Sequence, residues 1–213
     1  MVIKKIRNYN KGFTYVELII VLSIYSIMSA IIIFDYQGFQ AQIDIRNLAS
    51  DIALQVVQAQ KASLSGTLPP LAQQALITSS WKPAYGVYFN IGSGGNNKSF
   101  VYFTDLNQNS LYDNVNCVGT GECLNNITIT KGNTISRLDV FYQGDPTAYS
   151  LNDLTLTFTR PNGGAILNST GVIVNSIPVT PGLTVNYVQI TILSPKTYTS
   201  TIKVYPSGRI QIN

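Results

Sequence analysis

The 213-residue sequence contains no histidine, and only 11% of its residues are charged. Histidine is the commonest general base and the usual activator of a serine or cysteine nucleophile, so its absence excludes those catalytic arrangements. The ten acidic residues are dispersed, the glycine-rich segments lack the spacing of a phosphate-binding loop, and two cysteines without histidine form no zinc motif. We therefore expect that the protein is not an enzyme.

Positive charge is concentrated at the amino terminus. Lys4, Lys5, Arg7 and Lys11 precede Gly12, and no acidic residue lies among them. These four cations account for the whole formal net charge of +4, so the chain after Gly12 has ten basic and ten acidic residues. A protein that binds nucleic acid through its phosphates normally carries a basic excess. The charge therefore gives no reason to expect a nucleic-acid partner.

An apolar run of 22 residues, 13–34, follows this basic leader. A bilayer is crossed by about 20 residues, whereas the apolar core of a secretory signal peptide has about 7–15 and precedes its cleavage site. Here the small residue, Gly12, stands before the run. Basic residues before an apolar segment hold that end of the segment in the cytoplasm and direct the rest of the chain outward. Glu17, inside the run, costs about 3 kcal/mol to insert, which indicates a specific partner.

Gly12-Phe13, with Glu17 as the fifth residue after the break, resembles the processing and methylation motif of type IV prepilins and type II secretion pseudopilins. The resemblance implies that a prepilin peptidase removes the leader, 1–12, and methylates the new amine of Phe13. It also implies that Glu17 pairs with the N-terminal amine of a neighbouring subunit. Such a pair suits this position, because a buried carboxylate is tolerated when it has a partner of opposite charge.

The same resemblance implies the partners and the location of the protein. The expected partners are other pilin or pseudopilin subunits, the prepilin peptidase and the filament assembly machinery of the inner membrane. Before assembly, the expected state is a single-pass protein of the cytoplasmic (inner) membrane with its C-terminal domain outside. After assembly, the subunit is expected in an extracellular filament.

Beyond the membrane segment, apolar residues recur every three or four positions on an otherwise polar stretch, which is typical of an amphipathic helix. These positions are Ile45, Leu48, Ile52, Val56 and Ala59. Ser65-Gly66 and Pro69-Pro70 predict the end of the helix. We therefore predict one long helix over 13–66, with a transmembrane segment over 13–34 and a second half whose apolar stripe packs on a sheet.

From Trp81 onward, β-branched and aromatic segments separated by turns predict strands. These predicted strands cover 85–89, 100–103, 138–141, 154–158, 188–192, 202–204 and 210–212, with turns at 160–163 and 206–208. In the late strands, from residue 188 onward, apolar and polar residues alternate, which suits antiparallel strands with one buried and one solvated face. The expected fold class is therefore α+β and type IV pilin-like, with the long helix packed on the antiparallel sheet of one extracytoplasmic β-rich domain, 67–213.

Shorter segments resemble a subclass of this family, the H-class minor pseudopilins of type II secretion and the FimT/FimU-type minor pilins. The similar segments are Ala59-Gln60-Lys61-Ala62 at the helix end, Phe103 to Asn107, and the closing Val204 to Ile210 with its Gly-Arg pair. This implies a minor pilin or pseudopilin, a structural subunit of a type IV pilus or a type II secretion-like filament. The alternatives are a major pilin and a membrane-tethered extracellular module that binds calcium or another ligand.

Asp105, Asn107, Asn109 and Asp113 place oxygen ligands at alternate positions, as in the first half of a calcium-binding loop. Ser110 stands where such loops carry glycine, and Asn116 stands where they carry an acidic residue. The alternative is a polar turn with Asx hydrogen bonds that closes a hairpin. No cofactor is expected, and calcium is kept as an alternative.

Cys117 and Cys123 are the only cysteines. In a domain delivered outside the cytoplasm, a disulfide that closes this short loop is expected. A metal held by the pair is the alternative, but it lacks further histidine or cysteine ligands.

Overall fold

The structure, a computed structural model, describes residues 12–113, 117, 121–169 and 184–213. The leader cations at positions 4, 5, 7 and 11 lie outside these residues. The described chain forms a long helix, α1 (Tyr15–Ser65), a short helix, α2 (Leu71–Gln74), and ten strands. It divides into two compact units between Gln40 and Ala41, so the second half of α1 belongs to the same unit as the strands. The architecture is α+β, as predicted.

The ten strands form two antiparallel five-stranded sheets. The strands are β1 (Ala84–Asn90), β2 (Ser99–Thr104), β3 (Cys123–Thr128), β4 (Thr134–Tyr142), β5 (Tyr149–Leu151), β6 (Asp153–Thr159), β7 (Asn162–Asn168), β8 (Val185–Leu193), β9 (Thr199–Val204) and β10 (Ile210–Ile212). Sheet A has the order β3-β2-β1-β6-β7, and sheet B has the order β10-β9-β8-β4-β5. The strand pattern of the sequence does not predict this division into two sheets.

The helix α1 ends within one residue of its predicted end, in a Schellman motif at Gly66. Gly66 has a φ of 71°, a left-handed conformation that glycine adopts without strain. Its N–H donates to the carbonyl of Ser63 at 3.2 Å, and the N–H of Thr67 donates to the carbonyl of Ala62 at 3.1 Å. These bonds satisfy two carbonyls that a helix end otherwise leaves without a partner. At the other end, α1 begins at Tyr15, two residues later than predicted.

The apolar stripe of α1 packs into a core that it shares with both sheets. Ile45, Ile52, Val56 and Ala59 are buried and Leu48 is half-buried against them, so the predicted stripe is confirmed. The sheet residues in this core include Val87, Phe89, Leu156 and Phe158 from sheet A and Leu138, Ile190, Ile202 and Val204 from sheet B. Burial of each large apolar side chain stabilises the fold by about 1.5–3 kcal/mol, so the stripe holds the second half of α1 against the sheets.

The alternation of buried and solvated faces predicted for the late strands is confirmed on β8 and β9 of sheet B. On β8, Val188, Ile190 and Ile192 are buried while the residues between them are partly exposed. The central strands of sheet A are instead buried on both faces, and Thr155 and Thr157 of β6 are among the fully buried residues. The sequence predicts a strand here but does not show that its polar side is covered.

The long connection between β2 and β3, residues 105–122, is here called the β2–β3 loop, and its first part, 105–113, lies against the outer face of sheet A. The carbonyl of Ser110 accepts bonds from the hydroxyl of Thr157 at 3.2 Å and from the side-chain amide of Asn168 at 3.0 Å. The ring centroid of Tyr112 lies 4.9 Å from that of Tyr88 and 5.3 Å from that of Phe103. These contacts explain why the polar residues of this face are buried.

Three observed strands are missing from the sequence prediction. They are the edge strands β3, β5 and β7, which carry few buried apolar residues. The predicted turn 160–163 is partly wrong, because Asn162 and Gly163 belong to β7. Backbone pairing with β6, for example of Phe158 with Ala165, determines this strand, and such pairing needs no apolar side chain at alternate positions.

Candidate functional sites

Two regions contain the residues that the sequence singles out, the start of α1 and the β2–β3 loop. Gly12 and Phe13 lie just before α1 and are exposed, with Phe13 85% exposed. A Cβ atom built on Gly12 meets nothing within 4 Å. Both residues of the predicted processing site are therefore accessible in an irregular segment that precedes the helix.

Glu17 closes a capping box with Thr14 at the first turn of α1. The N–H and the hydroxyl of Thr14 both donate to Oε2 of Glu17 at 2.9 Å. The N–H of Glu17 donates to Oγ1 of Thr14 at 3.3 Å. This reciprocal arrangement satisfies N–H groups that a helix start leaves without a partner. The Thr-x-x-Glu spacing in the sequence is the signal for this cap, and the resemblance to prepilins did not reveal it.

The first half of α1 exposes a continuous apolar surface. An 18-residue window within α1 has a mean hydropathy of 2.4, and none of it is buried. The hydroxyls of Ser23 and Ser26 donate to the carbonyls of Ile19 and Leu22 at 2.7 and 2.8 Å, so these polar groups are satisfied within the helix. By length and composition, this helix can span a membrane, where backbone and side-chain polar groups need partners from the protein itself.

A second apolar surface lies in the folded unit, beside the end of α1. It is a groove of about 1260 Å³ lined by the exposed Leu54, Leu64, Leu68 and Leu71 and by the buried Tyr85 and Tyr102 of sheet A. Lys61 is the one charged side chain that lines it among the described residues. These exposed leucines offer a surface for contact with another chain.

The β2–β3 loop begins with a series of Asx hydrogen bonds. Asp105, 1% exposed, accepts the N–H of Gln108 at 2.6 Å and that of Ser110 at 2.8 Å. Each asparagine that follows accepts an N–H two residues further on, Asn107 from Asn109 at 3.0 Å and Asn109 from Leu111 at 2.8 Å.

The side-chain amides of the two asparagines bring Asp113 into the same turn. Both donate to Oδ2 of Asp113, from Asn107 at 2.6 Å and from Asn109 at 2.7 Å. The structure thus brings together all four residues predicted as calcium ligands. They form the Asx hydrogen bonds of the alternative interpretation, a polar turn between two paired strands.

Glu122 is a buried residue of this loop that the sequence analysis did not identify. It is 4% exposed and accepts the N–H of Leu106 and that of Asp113, each at 3.1 Å. Burial raises the pKa of both Asp105 and Glu122, and the N–H donors oppose this shift without cancelling it. No local motif marks Glu122, because its partners lie at the other end of the loop.

The oxygens of this cluster already face N–H donors and are not arranged around a cation. Within the described ranges, no group of three or more acidic, histidine or cysteine residues is placed to hold a metal ion. The residues present therefore do not form a calcium cage in this arrangement. Calcium binding stays a prediction that requires a direct measurement.

Cys117 and Cys123 form the predicted disulfide, with their Cα atoms 5.0 Å apart. The bond closes the end of the β2–β3 loop where β3 begins. The side chain of Gln73 in α2 donates to the carbonyls of Gly121 at 2.7 Å and Cys123 at 3.3 Å. The disulfide and α2 together hold this end of the loop against the sheet.

None of the protein-family models, curated proteins or solved structures compared with this chain matches it.

Proposed function

We propose that the chain is a structural subunit of a type IV pilus or a type II secretion-like filament, a minor pilin or pseudopilin. The observation that carries this proposal is the start of α1. An accessible Gly12-Phe13 step precedes an exposed apolar helix whose first turn holds Glu17. The fold, a long N-terminal helix packed on antiparallel sheets, is compatible with this family.

The proposed maturation begins with the basic leader, which holds the N-terminus in the cytoplasm while the apolar segment enters the membrane. Prepilin peptidase cleaves after Gly12 and methylates the amine of Phe13. The capping box survives this cleavage, because Thr14 and Glu17 both remain. It holds the Glu17 carboxylate within one helical turn of the new N-terminus.

Assembly then buries two apolar surfaces that the isolated chain leaves exposed. The first half of α1 leaves the lipid and packs against the helices of neighbouring subunits, and the Glu17 carboxylate pairs with the terminal ammonium of one of them. The groove lined by Leu54, Leu64 and Leu68 is a further surface for subunit contact. Both contacts favour a filament because they remove apolar area from water or lipid and give a buried charge its partner.

The test separates the charge of Glu17 from its capping role. Glu17→Gln keeps a capping acceptor, since glutamine serves in the same box, but removes the charge. Thr14→Ala weakens the cap and keeps the charge. In cells that carry the assembly machinery, we expect Glu17→Gln to be cleaved and methylated but to disappear from sheared filaments, while Thr14→Ala still assembles.

Three measurements decide the outcome: the mobility shift of cleavage, the mass of the N-terminal peptide and the amount in sheared filaments. Gly12→Leu should prevent cleavage and N-methylation. A Gly12→Leu chain that still matures and reaches filaments contradicts the proposal. If Glu17→Gln assembles as well as the wild type, the proposed ion pair of Glu17 is contradicted. Abundance as the main component of the filaments would assign the chain as a major pilin.

A further inference from the structure

The solvent side of sheet B carries a cluster of aromatic and basic side chains from distant parts of the chain. We call it the tyrosine face, and it consists of Phe141, Tyr187, Lys203, Tyr205 and Arg209. Strand register produces it, because Phe141 on β4 lies opposite Tyr187 on β8. The alternate residues of β8 and β9, among them Val188 and Ile202, point into the core. The side chains of the tyrosine face therefore lie on the opposite side of the sheet.

The rings and cations of the tyrosine face support one another. The Tyr187 ring stacks on Phe141 with centroids 4.7 Å apart and lies 5.5 Å from the ring of Tyr205. Nζ of Lys203 lies 4.8 Å from the centre of the Tyr187 ring, and the guanidinium of Arg209 lies 3.8 Å from that of Tyr205. These are cation–π distances, so the aromatic rings hold both cations in place.

The positive charge of this face comes from Lys203 and Arg209. Asp139, which lies opposite Gln189 on the neighbouring strand, is buried and bound by Arg137 at 2.8 Å and by the hydroxyl of Ser150 at 2.9 Å. In the described part of the chain, neither Lys203 nor Arg209 forms an ion pair. The face therefore presents two fixed positive charges on an otherwise weakly charged protein.

Carboxamide side chains extend the face on the same side of the sheet. Gln189 on β8, Lys203 on β9 and Gln211 on β10 are paired in register across three strands. The hydroxyl of Tyr205 lies 3.3 Å from Oε1 of Gln211, whose amide donates to Asn213 at 3.0 Å. A carboxamide both donates and accepts hydrogen bonds, and it is suited to hydroxyl groups for that reason.

We propose that the tyrosine face binds an acidic polysaccharide, a polymer of sugars that carry carboxylate groups. Lys203 and Arg209 pair with the carboxylates, while the carboxamides and tyrosine hydroxyls bond the sugar hydroxyls. This inference goes beyond the filament role and does not depend on it, because the face belongs to the folded unit after Ala41.

Single-stranded nucleic acid fits the same surface less well. Bases bind such proteins by stacking on free aromatic faces, but here the cations occupy ring faces of Tyr187 and Tyr205 and Phe141 covers a further one. Phosphate groups only accept hydrogen bonds, so they leave the acceptor oxygen of Gln189 unused. Two cations also neutralise few phosphates.

The test measures binding of the full chain in detergent micelles to sodium alginate, a uronate polymer. Dextran serves as the neutral polysaccharide and a single-stranded DNA oligonucleotide as the competing polyanion. We expect binding to alginate that weakens as salt rises and no binding to dextran. Lys203→Gln with Arg209→Gln should weaken alginate binding about tenfold, roughly threefold for each cation, with an unchanged thermal midpoint.

The matched control is Lys82→Gln with Lys98→Gln, which removes the same charge from exposed positions beside sheet A. This control variant should bind alginate with an affinity within about twofold of the wild-type value, as expected for charges far from the site. The proposal is overturned if alginate does not bind, if dextran binds equally, or if the control variant loses as much affinity. DNA that binds more tightly than alginate and displaces it would also overturn it, in favour of a nucleic-acid ligand.

Discussion

Gly86→Ala tests the covering of sheet A, on which the geometry of the β2–β3 loop depends. Gly86 lies in β1, between Phe103 on β2 and Thr157 on β6. A Cβ atom at this position meets the carbonyl oxygen of Leu156 at 2.5 Å and the ring of Phe103 at 2.6 Å. The carbonyl belongs to a strand paired on both sides, and Tyr112 packs on the Phe103 ring. Neither neighbour moves without disturbing others.

The loss of unfolding free energy expected for Gly86→Ala follows from these distances. Ordinary contacts of a Cβ atom begin at 3.4 Å, so the neighbours of the added methyl group have to move by ~1 Å in a close-packed interior, which costs about 1–3 kcal/mol. Alanine also restricts the unfolded chain, which returns about 0.4–1 kcal/mol. We expect a net loss of about 1–2 kcal/mol of unfolding free energy, or roughly 2–8 °C in the thermal midpoint.

The assay is thermal unfolding of the full chain in micelles, followed by near-ultraviolet circular dichroism of the tyrosines. The matched control is Gly163→Ala on the edge strand β7, where a Cβ atom meets Leu64 at 3.4 Å, an ordinary contact. That variant should be neutral or slightly more stable. Equal stability of Gly86→Ala and the wild type would refute the close approach of Phe103 and the covered face of sheet A.

Three further predictions concern the core, the disulfide and pH. Ile52→Ala should lower the unfolding free energy, measured by chemical denaturation, by about 2–5 kcal/mol. Gln58→Ala, on the exposed side of α1, should change it by no more than about 0.5 kcal/mol. Equal effects of the two substitutions would contradict the buried stripe. Reduction of the disulfide should lower the unfolding free energy by only about 2 kcal/mol, because the loop that it closes is short. An unchanged denaturation midpoint would contradict this expectation. Because burial raises the pKa of Asp105 and Glu122, their protonation favours the folded state, so the contribution of these two groups to the unfolding free energy should fall as pH rises from below about 4. Asp105→Asn with Glu122→Gln should flatten that slope, and an unchanged slope would contradict the assignment.

Contiguous and periodic features of the sequence predicted the long helix and its role in the fold. The spacing of Ile45, Ile52 and Val56 identified the buried stripe, because helical geometry alone places such residues on one face. Ser65-Gly66 identified the helix end for a similarly local reason. The disulfide was predictable as well, since Cys117 and Cys123 had no other cysteine to pair with.

The rest of the candidate site depends on contacts between distant segments. Glu122 became part of the β2–β3 loop cluster because the pairing of β2 with β3 brings its carboxylate to the N–H of Leu106. The burial of Thr157 depends on the same loop, because its hydroxyl donates to the carbonyl of Ser110. A polar strand pattern has no means to indicate what covers it.

The sequence by itself determined the α+β class, the apolar first half of α1, the stripe of its second half and the disulfide, because each follows from residues close together in the chain. Only the tertiary structure decided that the strands form two sheets and that one of these is covered on both faces. It alone assembled the tyrosine face, since Phe141, Tyr187 and Tyr205 meet through the register of sheet B. Register is set by how all the strands bury their apolar sides together, a property of the whole fold that no short segment contains.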